Sequence, residues 1–200
     1  MVELMTAAAK RADTRDRILA SATAAFRGKG FAATGVDAVM GGAGLTHGGF
    51  YAHFRSKDEL LAATLASEAV DPARNRLFGK VAHLRGDALI AATITHYLSM
   101  WHRDHPECGC SIPTLGAELP RYDRHLGAAM ARPVQRLVAF LQANLPGPAA
   151  TAATRAPALL ALLVGGVTTA RTLPPRAARA WLSSCRHAAR QVAGLPEERP

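Results

Sequence analysis

Residues 34–58 constrain the fold more than any other stretch of this chain. Their order predicts a short helix, a turn at Gly44 and a second short helix that starts after Thr46. Glycine adopts a left-handed backbone at little cost, which suits it to the turn. In the second segment Phe50 and Phe54 lie four residues apart and so share one face. This combination is typical of a helix-turn-helix, in which the second helix enters the major groove of DNA.

The other face of that second segment is slim and polar. A recognition helix needs this asymmetry, because the apolar face fixes its angle while the polar face reaches base edges and phosphates. Gly48 and Gly49 together cost roughly 2 kcal/mol of helix propensity. That cost is easier to understand if the backbone must lie close to DNA. The candidate DNA-facing residues are Thr46, His47, Gly48, Tyr51 and His53.

The helices around this motif have recognisable starts and ends. A helix is expected from Asp13 or Thr14 to about Lys29, where two glycines end it. Side-chain N-caps are expected at three further helix starts, namely Thr34, Thr46 and Ser56. The fourth helix continues towards Val70. The first 57 residues therefore predict a three-helix head with the helix-turn-helix at 34–54.

The rest of the chain also has a helical pattern. Further helices are expected around 73–81, 87–103, 123–145, 151–173 and 175–193, and Pro-, Gly- and Cys-rich segments join them. We find no convincing alternating strand pattern and no internal repeat. The predicted fold class is all-α, with an N-terminal DNA-binding domain at 1–57 and a larger helical ligand-binding and dimerisation bundle at 58–200.

The composition narrows the class of partner and the compartment. The net charge of +9 and pI of about 10.3 favour an anionic partner. Residues 10–57 hold eight Lys and Arg against three Asp and Glu. We expect a cytoplasmic protein without a membrane segment, because the most apolar run, Ala156–Ala170, is too short to span a bilayer comfortably. Three cysteines form no disulfide framework.

Several short motifs follow one another in order between Thr14 and about Leu61, a quarter of the chain. They are Arg17-Ile18-Leu19, Phe26 with Gly30-Phe31, Thr34, Val36, Ala43-Gly44-Leu45-Thr46, Phe50-Tyr51, His53-Phe54 and Ser56-Lys57-Asp58-Glu59-Leu60. In this order they resemble the DNA-binding part of the TetR family of transcriptional repressors. Met40 departs from the family pattern, which usually has a small residue there, and His47 replaces a more usual basic residue.

The resemblance implies particular contacts with operator DNA. The implied groove-facing residues are Thr46, His47 and Gly48, with base contact from His47. The implied phosphate contacts are Thr34, Tyr51, His53 and Lys57. The resemblance also implies a homodimer on a palindromic operator, released by a small-molecule inducer.

The last two predicted helices, at about 155–170 and 176–192, are the candidate dimer interface. Each has an apolar stripe, which consists of Leu159, Leu160, Leu163, Val164 and Val167 in one helix and Trp181, Leu182 and Cys185 in the other. Paired between subunits they would form a symmetric four-helix interface. The alternative is that both stripes belong to the core of one subunit.

The signal that the larger domain senses has two candidate explanations. The first is a small apolar or aromatic ligand, with Tyr97, Trp101, Cys110 and Leu115 as candidate lining residues. The second is a thiol-based redox or electrophile sensor centred on Cys110, because a thiol near His and Arg side chains is activated towards oxidants. Gly109-Cys110 also resembles a Gly-Cys element found in a subset of the family.

Other function classes find little support in the sequence. Four residues between His102 and Cys110 are of types that zinc accepts, but their C-x-C spacing is awkward for one tetrahedral ion, so no metal site is predicted. We find no nucleophile elbow, P-loop, dinucleotide fingerprint or HExxH motif, so neither an enzyme nor a bound cofactor is expected. The sequence leaves open the inducer, the operator and the choice between repressor and activator.

Overall fold

The computed structural model describes residues 7–67 and 77–196, and within these ranges the chain is all-α, as predicted. The α-helices are α1 (Ala7–Lys29), α2 (Val36–Gly42), α3 (Lys57–Ser67), α4 (Gly86–Tyr97), α5 (Met100–Asp104), α6 (Ile112–Leu115), α7 (Leu119–Tyr122), α8 (Arg124–Ala129), α9 (Ala131–Asn144), α10 (Ala149–Thr172) and α11 (Pro175–Ala193). Short 3₁₀ segments lie at His47–Ala52, Gly79–Val81 and Pro106–Cys108. The end of the predicted fourth helix, beyond Ser67, and the start of the segment predicted at 73–81 lie outside the described residues.

The first helix begins earlier than the sequence predicted. It starts at Ala7, and Thr14 lies inside it, where its hydroxyl donates to the carbonyl of Lys10 at 2.9 Å instead of capping a helix start. The predicted end is confirmed, because α1 stops at Lys29 and Gly30 follows with a φ of +84°.

Of the three predicted side-chain caps, only Ser56 is confirmed. The backbone N–H of Glu59 donates to Ser56 Oγ at 3.1 Å. Gly35, not Thr34, precedes α2 as its N-cap residue. Thr46 does occupy the N-cap position of the next segment, but its side chain makes no capping hydrogen bond.

The recognition segment is a 3₁₀ helix rather than the expected α-helix. The N–H of Gly49 donates to the carbonyl of Thr46 at 3.1 Å, the i→i+3 bond of a 3₁₀ turn. Two consecutive glycines near its start weaken any α-helical preference. The predicted inner face is nevertheless confirmed, because Phe50 and Phe54 are both 1% exposed. The preceding turn is also confirmed, with Gly44 at a φ of +68°.

Two long predicted helices of the larger domain are each interrupted. Residues predicted as one helix at 87–103 form α4 and α5, because Ser99 starts a new helix by accepting a hydrogen bond from the N–H of His102 at 3.1 Å. The segment predicted at 123–145 forms α8 and α9, with Met130 between them. Asp123 caps α8 by accepting from the N–H groups of His125 and Leu126.

Most residues of the two apolar stripes lie in the core of one chain, which is the alternative weighed from the sequence, and the use of α10 and α11 in a dimer stays a prediction. Leu159, Leu163, Val167 and Leu182 are fully buried within one chain, where α10 packs between α9 and α11. What α10 leaves exposed is a row of small residues at helical spacing, consisting of Thr154, Pro157, Ala161, Gly165, Thr168 and Thr172. In length and composition α10 is apolar enough to cross a membrane, but as a helix packed on two others it is a core helix of the bundle.

A carboxylate of the larger domain holds the N-terminal part of the chain. Both oxygens of Glu118 accept hydrogen bonds from the loop after α1, one from the N–H of Phe31 at 3.0 Å and one from the N–H of Ala32 at 2.7 Å. A Cβ on Gly30 would lie 2.7 Å from Glu118 Oε2. The ring of Tyr122 packs edge-on against Phe31, with ring centroids 5.0 Å apart. Glu118 and Tyr122, just before and within α7, therefore help to hold the head against the larger domain.

Many arginines are used inside the structure as bridges to backbone carbonyls. Arg103 donates from Nε to the carbonyl of Ala170 at 2.8 Å and from Nη2 to that of Leu173 at 2.7 Å. These carbonyls lie at the C-terminal end of α10, where helix carbonyls lack partners within the helix. The same kind of bond joins Arg155 to Ala193, Arg186 to Leu98, Arg17 to Ala43 and Arg15 to His53.

Candidate nucleic-acid interface

The predicted groove-facing residues share one solvent-exposed surface. Thr46, His47 and Gly48 are exposed, and a Cβ on Gly48 would meet nothing within 4 Å. Tyr51 is 65% exposed and packs edge-on against buried Phe50, with ring centroids 5.2 Å apart. The buried phenylalanine thus fixes the segment while its polar side faces solvent.

The side chains of Asp37 and Tyr51 lie beside His47 on this surface. Its Nδ1 lies 2.5 Å from Oδ1 of Asp37 in the first turn of α2. The ring centroid of Tyr51 lies 6.0 Å from that of His47. Asp37 lies ten residues from His47 in the sequence, so no local pattern predicted a role for it at this surface.

His53 is half-buried at the end of the recognition segment. The pKa of His53 is lowered, first by partial burial and then by the charges of Arg11 and Arg15. The lowered pKa favours the neutral imidazole at neutral pH, in which one ring nitrogen donates and the other accepts.

Two of the residues predicted to contact phosphates, Thr34 and Lys57, donate hydrogen bonds to carbonyls within the protein. Thr34 is 1% exposed, and its hydroxyl donates to the carbonyl of Gly30 at 2.6 Å. The ammonium of Lys57 donates to the carbonyls of Phe31 and Thr34 at 2.9 and 3.1 Å and lies 4.1 Å from the Phe31 ring centroid. Both side chains therefore secure the loop between α1 and α2.

Arg11 and Arg15 of α1 contributed to the sequence prediction only as net charge, and their position was missed. Arg11 donates to the carbonyl of Ala52 at 2.8 Å and Arg15 to that of His53 at 2.7 Å. The Arg15 guanidinium also lies over the Phe54 ring, 4.2 Å from its centroid. Their i, i+4 spacing places both on one face of α1 beside the recognition segment. That spacing is the signal that would have identified them.

The four candidate ligand residues do not form one set. Tyr97, Cys110 and Leu115 are buried in the larger domain, at 0%, 6% and 1% exposure. Trp101 lies at the surface, where its ring stacks on His105 with centroids 5.3 Å apart. Burial, together with the neighbouring Cys110, raises the pKa of Tyr97 well above its usual range.

Beside Tyr97 lies a buried histidine with a defined tautomer. The carbonyl of Tyr97 accepts a hydrogen bond from Nδ1 of His102 at 2.7 Å, and Nε2 accepts one from the N–H of Cys110 at 3.1 Å. Burial lowers the pKa of His102 to about 4. A neutral ring with both nitrogens engaged is not available as a metal ligand. Among residues 7–67 and 77–196, no group of three His, Cys, Asp or Glu is placed to hold a metal ion.

Arg171 of α10 extends this cluster of buried polar groups. It donates to Thr114 Oγ1 at 3.0 Å and to the carbonyl of His102 at 3.4 Å. Among the described residues, five buried polar atoms of the same domain have no hydrogen-bond partner, namely Thr93 Oγ1, Tyr97 Oη, Ser111 Oγ, Arg155 Nε and Arg171 Nε. Buried polar atoms without partners are uncommon in proteins and are sites where a water or ligand is expected.

The buried position of Cys110 does not favour the redox hypothesis. Sensor thiols are solvent-accessible as a rule, because an oxidant must reach the sulfur. Cys110 is only 6% exposed. The thiol of Cys108, at a half-buried position, donates to Glu107 Oε1 at 3.7 Å.

The comparison with known families decides the classification. The family model described as "Bacterial regulatory proteins, tetR family" matches residues 18–64, which include α2 and the recognition segment. Residues 18–64 therefore form a DNA-binding domain of the TetR family. TetR-family proteins are DNA-binding transcription regulators and not enzymes, in agreement with the sequence analysis. A comparison with curated protein sequences gives no significant match.

Solved structures of other proteins share this fold over about nine-tenths of the chain. The reduced form of NemR from E. coli is 21% identical, with a TM-score of 0.72 over 90% of this chain and 96% of that one. A TetR regulator from Legionella pneumophila is 15% identical, with a TM-score of 0.71 over 95% and 98%. FadR from Bacillus subtilis in complex with stearoyl-CoA is 14% identical, with a TM-score of 0.64 over 89% and 96%.

Proposed function

We propose that this TetR-family protein is a cytoplasmic transcriptional repressor that binds a palindromic operator as a homodimer and is released by a small ligand. The observation that carries the proposal is the recognition segment, whose apolar side is buried and whose polar side is open. The net charge of +9 supports an anionic partner. We also propose that the DNA-binding domain comprises residues 1–57 and the ligand-binding and dimerisation domain residues 58–200.

The proposed DNA contacts divide into groove-facing and backbone-facing residues. Thr46, His47 and Gly48 face the groove, and Tyr51 and His53 contact phosphates. Thr34 and Lys57 act indirectly, since their polar groups hold the loop that precedes α2. Indirect action predicts that Lys57→Ala weakens binding to every sequence alike and also lowers the stability of the head.

The proposed dimer uses the small-residue face of α10 together with α11. Small exposed residues allow two helices to approach closely, and a Cβ on Gly165 would meet nothing within 4 Å in the single chain. Gly165→Leu is therefore expected to fold but to elute as a monomer in size-exclusion chromatography with light scattering. Ala139→Leu, on the exposed face of α9, is the control that should remain a dimer.

The proposed inducer has a small apolar or aromatic body. Support comes from the apolar surroundings of Tyr97 and Leu115 in the larger domain, next to buried hydroxyls of Thr93 and Ser111 that lack partners. Such hydroxyls favour a ligand that also carries a hydrogen-bonding group. Binding of the inducer shifts the dimer towards a state in which both heads cannot reach the operator.

The experiment that tests the proposal is fluorescence anisotropy of the purified dimer on DNA from the region upstream of its own gene. Affinity should fall steeply from 50 to 200 mM salt, because bound phosphates release counterions. His47→Ala should lose sequence preference, whereas His125→Ala, on the distant and exposed α8, should bind like wild type. If wild type binds at no salt concentration, or both variants match wild type, the proposed interface is wrong.

A further inference from the structure

The pair formed by Asp37 and His47 crosses from one helix of the motif to the recognition segment. The 2.5 Å contact joins side chains that are 83% and 52% exposed. Asp37 is carried by α2, which is anchored through buried Val39 and Met40. The carboxylate is therefore a fixed support at the surface, and the Tyr51 ring faces His47 from its own segment.

We propose that Asp37 is a specificity-determining residue, which orients His47 so that only Nε2 faces the DNA. This inference rests on the proposed DNA-binding function. A carboxylate only accepts hydrogen bonds, so the hydrogen of the neutral imidazole must be on Nδ1. Nε2 then carries the lone pair and accepts. In the major groove it pairs with an amino group, which only adenine N6 and cytosine N4 offer.

Removing Asp37 changes the chemistry of His47 without removing the ring. A free imidazole takes either tautomer. The Nε2–H tautomer donates and therefore suits guanine N7 and O6. Without the carboxylate, His47 can pair either with an amino group or with the acceptor atoms of guanine. The sequence preference at the contacted base pair is then weaker.

The Asp37 carboxylate increases sequence preference but lowers the affinity for DNA. A negative charge on the DNA-facing surface repels phosphates and weakens binding to any sequence. The Asp37→Ala variant therefore binds non-specific DNA more tightly while it discriminates less well. A purely structural role would predict a loss of affinity for all sequences.

The experiment sequences the DNA that each variant selects at pH 8.5 from a duplex library with two randomised half-sites. Wild type is expected to prefer adenine or cytosine at one position of each half-site. Asp37→Ala and Asp37→Ser should each reduce that preference about tenfold and leave the other positions unchanged. Asp37→Asn should retain it, because the amide oxygen still accepts from Nδ1–H. His47→Ala should abolish it.

Asp58→Ala is the matched control, because Asp58 is also an exposed acid in the first turn of a helix. It should leave the selected sequence unchanged, and circular dichroism should show every variant folded. If Asp37→Ala and Asp37→Ser select the wild-type sequence with wild-type stringency, the inference is wrong and the proposed function stands. If wild type selects no sequence, both are wrong.

Discussion

The bond between Glu118 and the loop after α1 provides the sharpest test of how the two parts of the chain are joined. Glu118→Gln keeps the shape of the side chain but leaves one accepting oxygen where the carboxylate has two. One of the hydrogen bonds to Phe31 and Ala32 is lost, and the other is no longer charge-assisted. Hydrogen bonds to charged groups contribute about 1.5–3 kcal/mol each.

The exposed position of the Ala32 amide reduces this contribution, because water replaces a lost partner there. We therefore expect Glu118→Gln to lower the free energy of unfolding by about 1–2 kcal/mol. In a protein of this size that corresponds to a fall in Tm of roughly 2–8 °C. Urea unfolding followed by circular dichroism at fixed protein concentration measures the change. Asp58→Asn, an exposed carboxylate elsewhere, should stay within about 0.5 kcal/mol of wild type.

A second test of the Glu118 bond is the substitution Gly30→Ala, made in wild type and in a Glu118→Ala background. Gly30→Ala forces a side chain into a φ of +84°, which costs about 1–2 kcal/mol, and places its Cβ against the Glu118 carboxylate. In a Glu118→Ala background the contact disappears and only the backbone cost remains. The substitution should therefore cost less in that background. Equal costs in both backgrounds, or a Glu118→Gln variant as stable as wild type, would refute the proposed bond.

Three further predictions concern stability. The pKa of buried His102 is about 4, below its ordinary value of 6.5. As the pH falls, the unfolded chain therefore binds a proton at this residue before the folded chain does. The free energy of unfolding should fall by about 3 kcal/mol as the pH drops from 6.5 to 4. His102→Gln should flatten that part of a urea-unfolding pH profile, and a profile parallel to wild type would contradict the assignment. Gly166→Ala should destabilise by about 1–3 kcal/mol, because its Cβ would lie 2.6 Å from Leu98 Cδ2. Gly41→Ala, at an open position in α2, should be neutral or stabilising by up to about 1 kcal/mol in thermal melts. Arg103→Lys should cost about 1 kcal/mol in urea unfolding, because one ammonium replaces a fork that reaches two carbonyls.

The local features of the motif were predictable from sequence because they depend on neighbouring residues. The spacing of Phe50 and Phe54 fixed the buried face, the conformational freedom of Gly44 fixed the turn, and Ser56 had its capping partner three residues away. The type of helix was not predictable in the same way, because Gly48 and Gly49 tip the balance towards 3₁₀ geometry only within the folded head.

The errors concern residues whose partners are distant in sequence. The family resemblance implied a phosphate contact for Lys57, but its ammonium donates to carbonyls 23 and 26 residues away. Leu159 and Leu163 have the spacing of any apolar helix face, which is the same for a core and for a subunit interface. The small residues that α10 leaves exposed carry no hydrophobic signal at all.

The arginine bridges to carbonyls limit which positive charges can be removed from this protein without loss of stability. A surface redesign that lowers the pI of about 10.3, for instance to reduce non-specific adsorption during purification, has few safe targets among the bridging arginines. Replacing Arg103, Arg155 or Arg186 would leave carbonyls at helix ends without donors. Exposed arginines of α9 such as Arg132 and Arg136 are the better choice. Charge can be removed there while the helix ends keep their donors.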